Sequence, residues 1–268
     1  MINLFHLLPR LYRKFHRWRA HEELIERAIV EQQTKLARAQ MFKEEFSDFG
    51  KLYLGSRRNL PLEWEDRYPC LDDKTSETAF DRHYTYHPAW AARVLAKVRP
   101  IEHVDISSTL QFCTLVSAFL PVRFYDFRPA PLHLNGITTG FADLLDLPFQ
   151  DASIDSLSCM HVLEHIGLGR YGDRLDPNGD IQAIKELCRV LSLGGNLLVV
   201  VPVGKARIQF NAHRVYDHQE FVSYFSGLTL LEFSLIPDGD APIGLILNPS
   251  VELVNAQSYG CGCYWFSK

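Results

Sequence analysis

Between residues 102 and 236 the chain alternates short apolar runs with segments of helical period, and this alternation restricts the fold more than any other feature. Glu102–Ile106, Val122–Phe127, Ile154–Met160, Asn196–Pro202 and Thr229–Ile236 are strand-length runs. Thr109–Leu120, Ile181–Leu191 and Gln219–Phe225 carry the spacing of helices between them. A helix is also expected over Ala89–Lys97, stopped before Pro100, and a last strand over Gly260–Phe266. Strands joined through helices need crossover connections, so the expected class is α/β, a doubly wound and mostly parallel sheet covered on both faces.

Ahead of this domain, residues 1–76 read as a helical extension and connection, leaving 77–268 for the α/β unit. Leu24, Ile25, Ala28, Ile29 and Leu36 keep a helical pattern from Glu22 to about Phe49, punctuated by Gly50 and Gly55. The stretch 57–76, with Pro61 and Pro69, is irregular. In residues 1–20, Leu4, Leu8, Leu11, Tyr12, Phe15 and Trp18 fall at helical spacing, accompanied by Arg10, Arg13, Lys14, Arg17 and Arg19 without an acid. Such a stripe packs on its own domain or a second subunit, or lies on an anionic membrane surface. Oligomerisation and peripheral membrane contact through residues 1–50 are therefore the partner expectations.

The formal charge of -4 on 268 residues argues against a nucleic-acid-coating protein, and no nucleic-acid partner is expected. Of six cysteines, Cys113, Cys159 and Cys188 lie in apolar runs, and Cys261-Gly-Cys263 offers too few thiols for a structural zinc site. It reads as part of an ordinary strand. No secretory leader or spanning run is evident. The expected location is cytoplasmic, with the inner membrane face as the place of any peripheral contact.

In an open α/β sheet, ligands sit beyond the carboxyl ends of the strands. Asp105, Asp126 and Asp143 end or follow successive strands and would line one crevice. Asp126, at the end of the second strand, suits a ribose diol, and Asp143 could accept from an exocyclic adenine amine. His161, Glu164 and His165 follow the strand ending at Met160. In a helical turn these spacings would bring two imidazoles and a carboxylate to one face, as a metal site or an acid/base cluster. His161-Val-Leu-Glu-His165 also matches the H-x-x-E-H string of a metalloprotease class, but that string requires a full helix and here follows a strand. The long glycine-rich stretch 167–179 stands beside this cluster. It reads either as a connection or as a functional loop presenting Arg170, Tyr171 and Asp173 to a sugar or phosphate acceptor. Asn211, His213 and Arg214 would face the same mouth. His83, Tyr84 and Tyr86 would close it, unless the tyrosines belong to a buried aromatic cluster.

Phe141-Ala-Asp-Leu-Leu-Asp-Leu-Pro-Phe149, Ser153-Ile-Asp-Ser-Leu157, Met160-His-Val-Leu-Glu-His165 and Arg189-Val-Leu-Ser-Leu-Gly-Gly-Asn-Leu197 resemble the central motifs of class I S-adenosylmethionine-dependent methyltransferases. The resemblance spans roughly 83–240 and implies a Rossmann-like sheet. More narrowly, His83-Tyr-Thr-Tyr86, Gly167-Leu-Gly-Arg-Tyr-Gly-Asp173 and Phe210-Asn-Ala-His-Arg214 resemble an uncharacterised methyltransferase-like family associated with bacterial surface-glycan biosynthesis. The resemblance implies S-adenosylmethionine as cofactor, held by Asp105, Ser107, Ser108, Asp126, Phe127, Asp143, Leu144 and Met160. It implies an acceptor held by Tyr84, Arg170, Tyr171, Asn211 and Arg214. His161, His165, Asp173 and His213 are the catalytic candidates. One departure stands out: Asp105-Ile-Ser-Ser-Thr-Leu-Gln111 has no glycine where the superfamily places G-x-G-x-G.

The same strand end is similar to the E-x-x-E-H metal motif of small-RNA ribose O-methyltransferases and ubiquinone-pathway O-methyltransferases, with His161 in place of the first Glu. By that resemblance His161, Glu164, His165 and His213 would hold a divalent metal ion, which would polarise a vicinal diol. The commoner account of Leu163-Glu-His165 is a metal-free turn. Two functional expectations follow. One is O-methylation of a sugar hydroxyl on a glycan, nucleotide-sugar or phosphorylated acceptor. The other is a catalytically inert methyltransferase-like module that engages a partner or membrane through its N-terminal helices.

Overall fold

A computed structural model describes residues 8–239 and 243–268, with side chains from residue 21 onward. The chain divides into two compact units, Met1–Ala79 and Phe80–Lys268.

In the first unit, helix α1 runs unbroken over Leu8–Leu54, through Gly50, and ends at Gly55. The basic stripe expected over residues 1–20 lies outside the residues whose side chains are described. From Leu24 to Leu54 the helix leaves Leu24, Ile29, Val30, Leu36 and Leu52 exposed. The chain then turns back on α1: Trp64 packs on Phe42 and Phe46, Arg67 lies over the Trp64 ring, and the Tyr53 hydroxyl donates to the Leu60 carbonyl at 2.7 Å. No described helix is long and apolar enough to cross a membrane.

The second unit holds the α/β sheet. Its chain order is α2 (Arg82–Val98), β1 (His103–Ile106), α3 (Leu110–Val116), β2 (Val122–Asp126), β3 (Ile137–Phe141), β4 (Ile154–Met160), α4 (Gly179–Val190) and β5 (Leu191–Val203). A small hairpin follows, β6 (Arg207–Gln209) and β7 (His213–Val215). After it come α5 (His218–Ser223), β8 (Thr229–Ile236), β9 (Ile246–Leu247), α6 (Val251–Asn255) and β10 (Gly260–Ser267). Eight strands form one sheet in the order β3-β2-β1-β4-β5-β10-β8-β9. The first five are mutually parallel, and β10 runs antiparallel between β5 and β8.

The central strands β1, β4 and β5 are mostly buried, and β5 is apolar from Leu197 to Val203. On β5, Leu198 and Val200 enter one core with Trp90, Val94 and Phe112 of α2 and α3. Leu197, Val199 and Val201 enter the other with Ile184, Leu187 and Phe221 of α4 and α5. This is a doubly wound α/β sheet, as the alternation predicts.

Two differences from the sequence reading bear on the site. Helix α2 starts seven residues before Ala89, because the Asp81 side chain accepts the Tyr84 N–H as an N-cap and the helix continues through Pro88. His83 and His87 thereby share one helix face, one turn apart. β3 forms where a loop was expected. It is short and threonine-rich, with Gly140 near its end, and lacks the apolar run that marks its neighbours.

Candidate functional site

Strand order reverses about β1, whose neighbours β2 and β4 lead to opposite halves of the sheet, so the crevice opens beyond the carboxyl ends of β1 and β4. Two adjoining cavities lie there, of about 370 Å³ and about 410 Å³, sharing Ser107, His161, His165 and Tyr171.

The turn after β1 is built without glycine. Ser107 takes the left-handed backbone (φ 57), and its N–H donates to the Tyr125 carbonyl at 2.8 Å. Asp105 accepts the Ser108 N–H at 2.9 Å, and the Ser108 hydroxyl accepts the Met160 N–H at 3.0 Å. Thr109 caps α3 by accepting the Phe112 N–H. Asp105 is wholly buried and lines neither cavity. Its carboxyl also accepts from Ser158, whose hydroxyl reaches His103 at 2.8 Å. Burial raises Asp105 to about 6 against these hydrogen bonds. Asp105 therefore supports the turn from beneath and is not a ligand contact, which corrects its assignment to the cofactor.

The first cavity is lined by Ser107, Asp126, Phe127, Asp143 and Leu144, all expected at the cofactor, and also by Arg128, Leu145, Val162 and Arg174, which were not. Asp126 and Asp143 each accept one N–H from two residues onward, of Arg128 and Leu145 respectively, and are held by those bonds. Arg128 and Arg170 both stack on Tyr171, at 4.7 and 5.1 Å from the ring centroid, and make a basic rim. Arg128 stands two residues after the β2 acid, but only the folded loop sets it opposite Tyr171.

The second cavity is lined by Asp81, His83, Tyr84, Ser107, Ser108, Thr109, Met160, His161, Glu164, His165, Arg170, Tyr171, His213 and Tyr259. A short 3-10 turn, Leu163–His165, replaces the full helical turn considered from spacing, and His161 has a left-handed backbone (φ 57). His161 Nδ1 and Glu164 Oε1 share a 2.8 Å hydrogen bond. Burial lowers His161 to about 4 and raises Glu164 to about 7, so the contact is a hydrogen bond with a neutral imidazole and not an ion pair. Glu164 Oε2 is buried without a hydrogen-bond partner. The Nδ1–H of His165 donates to the Ala212 carbonyl at 2.6 Å, and Nε2 lies 3.8 Å from Glu164 Oε1. Burial lowers the His165 pKa, the nearby Glu164 carboxylate opposing.

Three further expectations are corrected. Arg214 is buried and donates to the carbonyls of Ile166, Asp176 and Pro177 beside Asp180, so it pins the 167–179 loop and cannot bind an acceptor. Asp173 accepts the N–H groups of Gly167, Gly169 and Tyr171. Partial burial acts to raise its carboxyl, but these donors outweigh it and hold the pKa below the ordinary value, so Asp173 organises the loop and is no general base. Asn211 sits at the exposed turn of the β6–β7 hairpin and lines neither cavity. The supposed metal set is also not gathered. His213 Nε2 is bonded to Gln209 at 2.7 Å, and His161, Glu164, His165 and His213 do not close on one point. Among the described residues the one such group is His83, His161 and Cys261.

Comparisons agree with the architecture. The N-methyltransferase NodS of Bradyrhizobium japonicum, solved with S-adenosylhomocysteine, superposes with a TM-score of 0.50 at 14% identity, over 70% of this chain and 88% of that one. A SAM-dependent methyltransferase of Methanosarcina mazei gives 0.43 at 15% identity, over 65% and 96%. The [4+2]-cyclase SpnF gives 0.45 at 14%, over 68% and 81%. The likeness to NodS shows a shared fold. Residues 148–243 match a family described as "Caenorhabditis protein of unknown function, DUF268". No curated protein matches the sequence.

Proposed function

We propose that this protein is an S-adenosylmethionine-dependent methyltransferase acting on a hydroxyl, with a sugar of a glycan, nucleotide-sugar or other phosphorylated compound as acceptor. The observation that carries the reading is the first cavity. It joins the ends of β1, β2 and β4, has carboxylates at Asp126 and Asp143, and is walled by Phe127, Leu144 and Val162. Apolar walls with a few fixed polar groups are what an adenosine needs. In this reading Asp126 accepts from the ribose hydroxyls and Asp143 from the adenine amine, while Ser107, Ser108 and Thr109 border the adjoining space. When bound, the cofactor supplies an electrophilic methyl group.

The chain's own residues then have to orient the acceptor and take its proton. His165 is the group suited to the proton. Its Nδ1–H is committed to Ala212, its Nε2 is left as the basic atom, and burial keeps the ring neutral near pH 7. The Arg128, Arg170 and Arg174 side of the crevice suits a phosphate, which supports the acceptor class. Calorimetry with S-adenosylmethionine and S-adenosylhomocysteine tests the reading. Binding of both is expected, weakened roughly tenfold or more in Asp126→Ala, since hydrogen bonds to a charged group are lost. Absence of binding for both would leave the inert-module reading. A mass-shift screen against nucleotide-sugars and glycans then identifies the acceptor.

A further inference from the structure

At the second cavity, His83 and His161 meet a buried cysteine in a group that the proposed methyl transfer does not use. His83 comes from the first turn of α2, His161 from the turn after β4, and Cys261 from β10, three elements far apart in sequence. One ligand atom from each lies within 4.8 Å of the other two. His161 Nε2 and Cys261 Sγ are 3.5 Å apart. Ordinary Zn–N and Zn–S bond lengths at a tetrahedral angle give an N···S edge of about 3.5 Å, so this pair already has the spacing of two ligands on one ion.

The surroundings point the same way. The far nitrogen of His161 is held by the Glu164 carboxyl, the partner that orients an imidazole and raises its basicity toward a metal. Glu164 is almost wholly buried, lines the same cavity, and has its Oε2 without a hydrogen-bond partner. His87, one turn after His83 and in edge contact with His161 (5.0 Å between centroids), has its Nε2 buried and unpartnered as well. Neither atom belongs to the three-residue group, but both make the pocket around the histidine–cysteine pair polar. His83 and His161 also line the open cavity, which leaves a coordination position on the solvent side.

We propose that His83, His161 and Cys261 bind one divalent ion of the zinc class, with an open position toward the second cavity. Two imidazoles and a thiolate select a borderline ion over magnesium or calcium. Binding requires the Cys261 thiol to release its proton to solvent, and without the ion that thiol remains within hydrogen-bonding reach of His161 Nε2. The proposal does not depend on the methyltransferase reading, because its readouts are the ion itself.

The experiment uses the full chain with any affinity tag removed. After stripping by a chelator, zinc is titrated against a competing chromophoric chelator, and cobalt is titrated with the absorption spectrum recorded. The expected result is one ion per chain and a thiolate-to-cobalt charge-transfer band. His83→Ala, on a partly exposed helix turn, and Cys261→Ser, which keeps the side-chain shape, should each weaken zinc at least about tenfold, and the serine variant should lose the band. His213→Ala should bind as wild type. Circular dichroism shows that the variants are folded. No binding by the wild type, a cobalt spectrum without the thiolate band, or undiminished binding in both His83→Ala and Cys261→Ser would overturn the proposal. So would loss confined to His213→Ala.

Discussion

Ser107 occupies the position where the methyltransferase motif that this stretch resembles would put glycine, and its backbone still adopts the left-handed turn. A non-glycine residue there costs about 1–2 kcal/mol. The turn is kept by bonds that do not need a glycine: Ser107 N–H to Tyr125, Ser108 N–H to Asp105, and Met160 N–H to Ser108. Ser107→Gly should relieve the strain while losing about 0.5–1 kcal/mol to chain entropy. A net stabilisation of about 0.5 kcal/mol is expected from denaturant midpoints, with cofactor affinity not reduced. A drop above about 1 kcal/mol would mean that the hydroxyl, and not the backbone, matters at this position. His165→Ala is expected to fold and bind S-adenosylhomocysteine while losing a factor of about 10² or more in turnover, as for removal of a general base. A turnover within a few fold of wild type would remove His165 from that role. Single residues were the level least legible in the sequence. Asp126, Asp143 and His165 could be placed because strand ends put them in the crevice. Arg214 and Asp173 are polar neighbours of the same loop, and only burial and bond partners reveal them as ties within it.

At the scale of elements, legibility followed apolar content. β4 and β5 are buried on both faces, so their runs stand out, whereas β3 carries threonines and a glycine and does not. The first half of α2 was hidden by Pro88, and with it the helix turn that brings His83 to the second cavity. Cys261 was correctly read as a strand residue, but its meeting with His161 depends on β10 pairing beside β5, a contact across a hundred residues. The 167–179 loop shows how an irregular element is held. Gly167 has φ +80, and a Cβ there would lie 2.0 Å from the Asp176 carbonyl oxygen. Arg214 donates to the carbonyls of Asp176 and Pro177 in the loop and of Ile166 just before it, and stands 3.4 Å from Asp180 with both side chains buried. Arg214→Met keeps much of the volume but removes the donors and leaves Asp180 without its cation. A loss of about 3 kcal/mol is expected in equilibrium unfolding, with faster proteolysis within 167–179. Unchanged stability and unchanged cleavage would show that the loop does not depend on Arg214.

For the whole molecule, the buried titratable groups set how stability responds to acid. His87 and His103 are lowered to about 3 and His161 to about 4, in each case mainly by burial. Between pH 6.5 and 4 these imidazoles take up protons in the unfolded chain but not in the folded one. Stability from them is therefore complete above pH 6.5 and falls as pH falls through that window. Asp105, raised to about 6, and Glu164, raised to about 7, act oppositely, because the folded state keeps their protons while the unfolded chain has released them. Near pH 5.5 three imidazoles outweigh two carboxyls, and unfolding takes up about one net proton, which corresponds to a loss of about 1.4 kcal/mol per unit of falling pH. The partly buried His83, His165, His213 and His218 are all lowered as well and steepen the loss. Urea midpoints for metal-free protein should decline from pH 6.5 to pH 5. Flat or rising midpoints over that range would mean that the buried imidazoles do not outweigh the buried carboxyls.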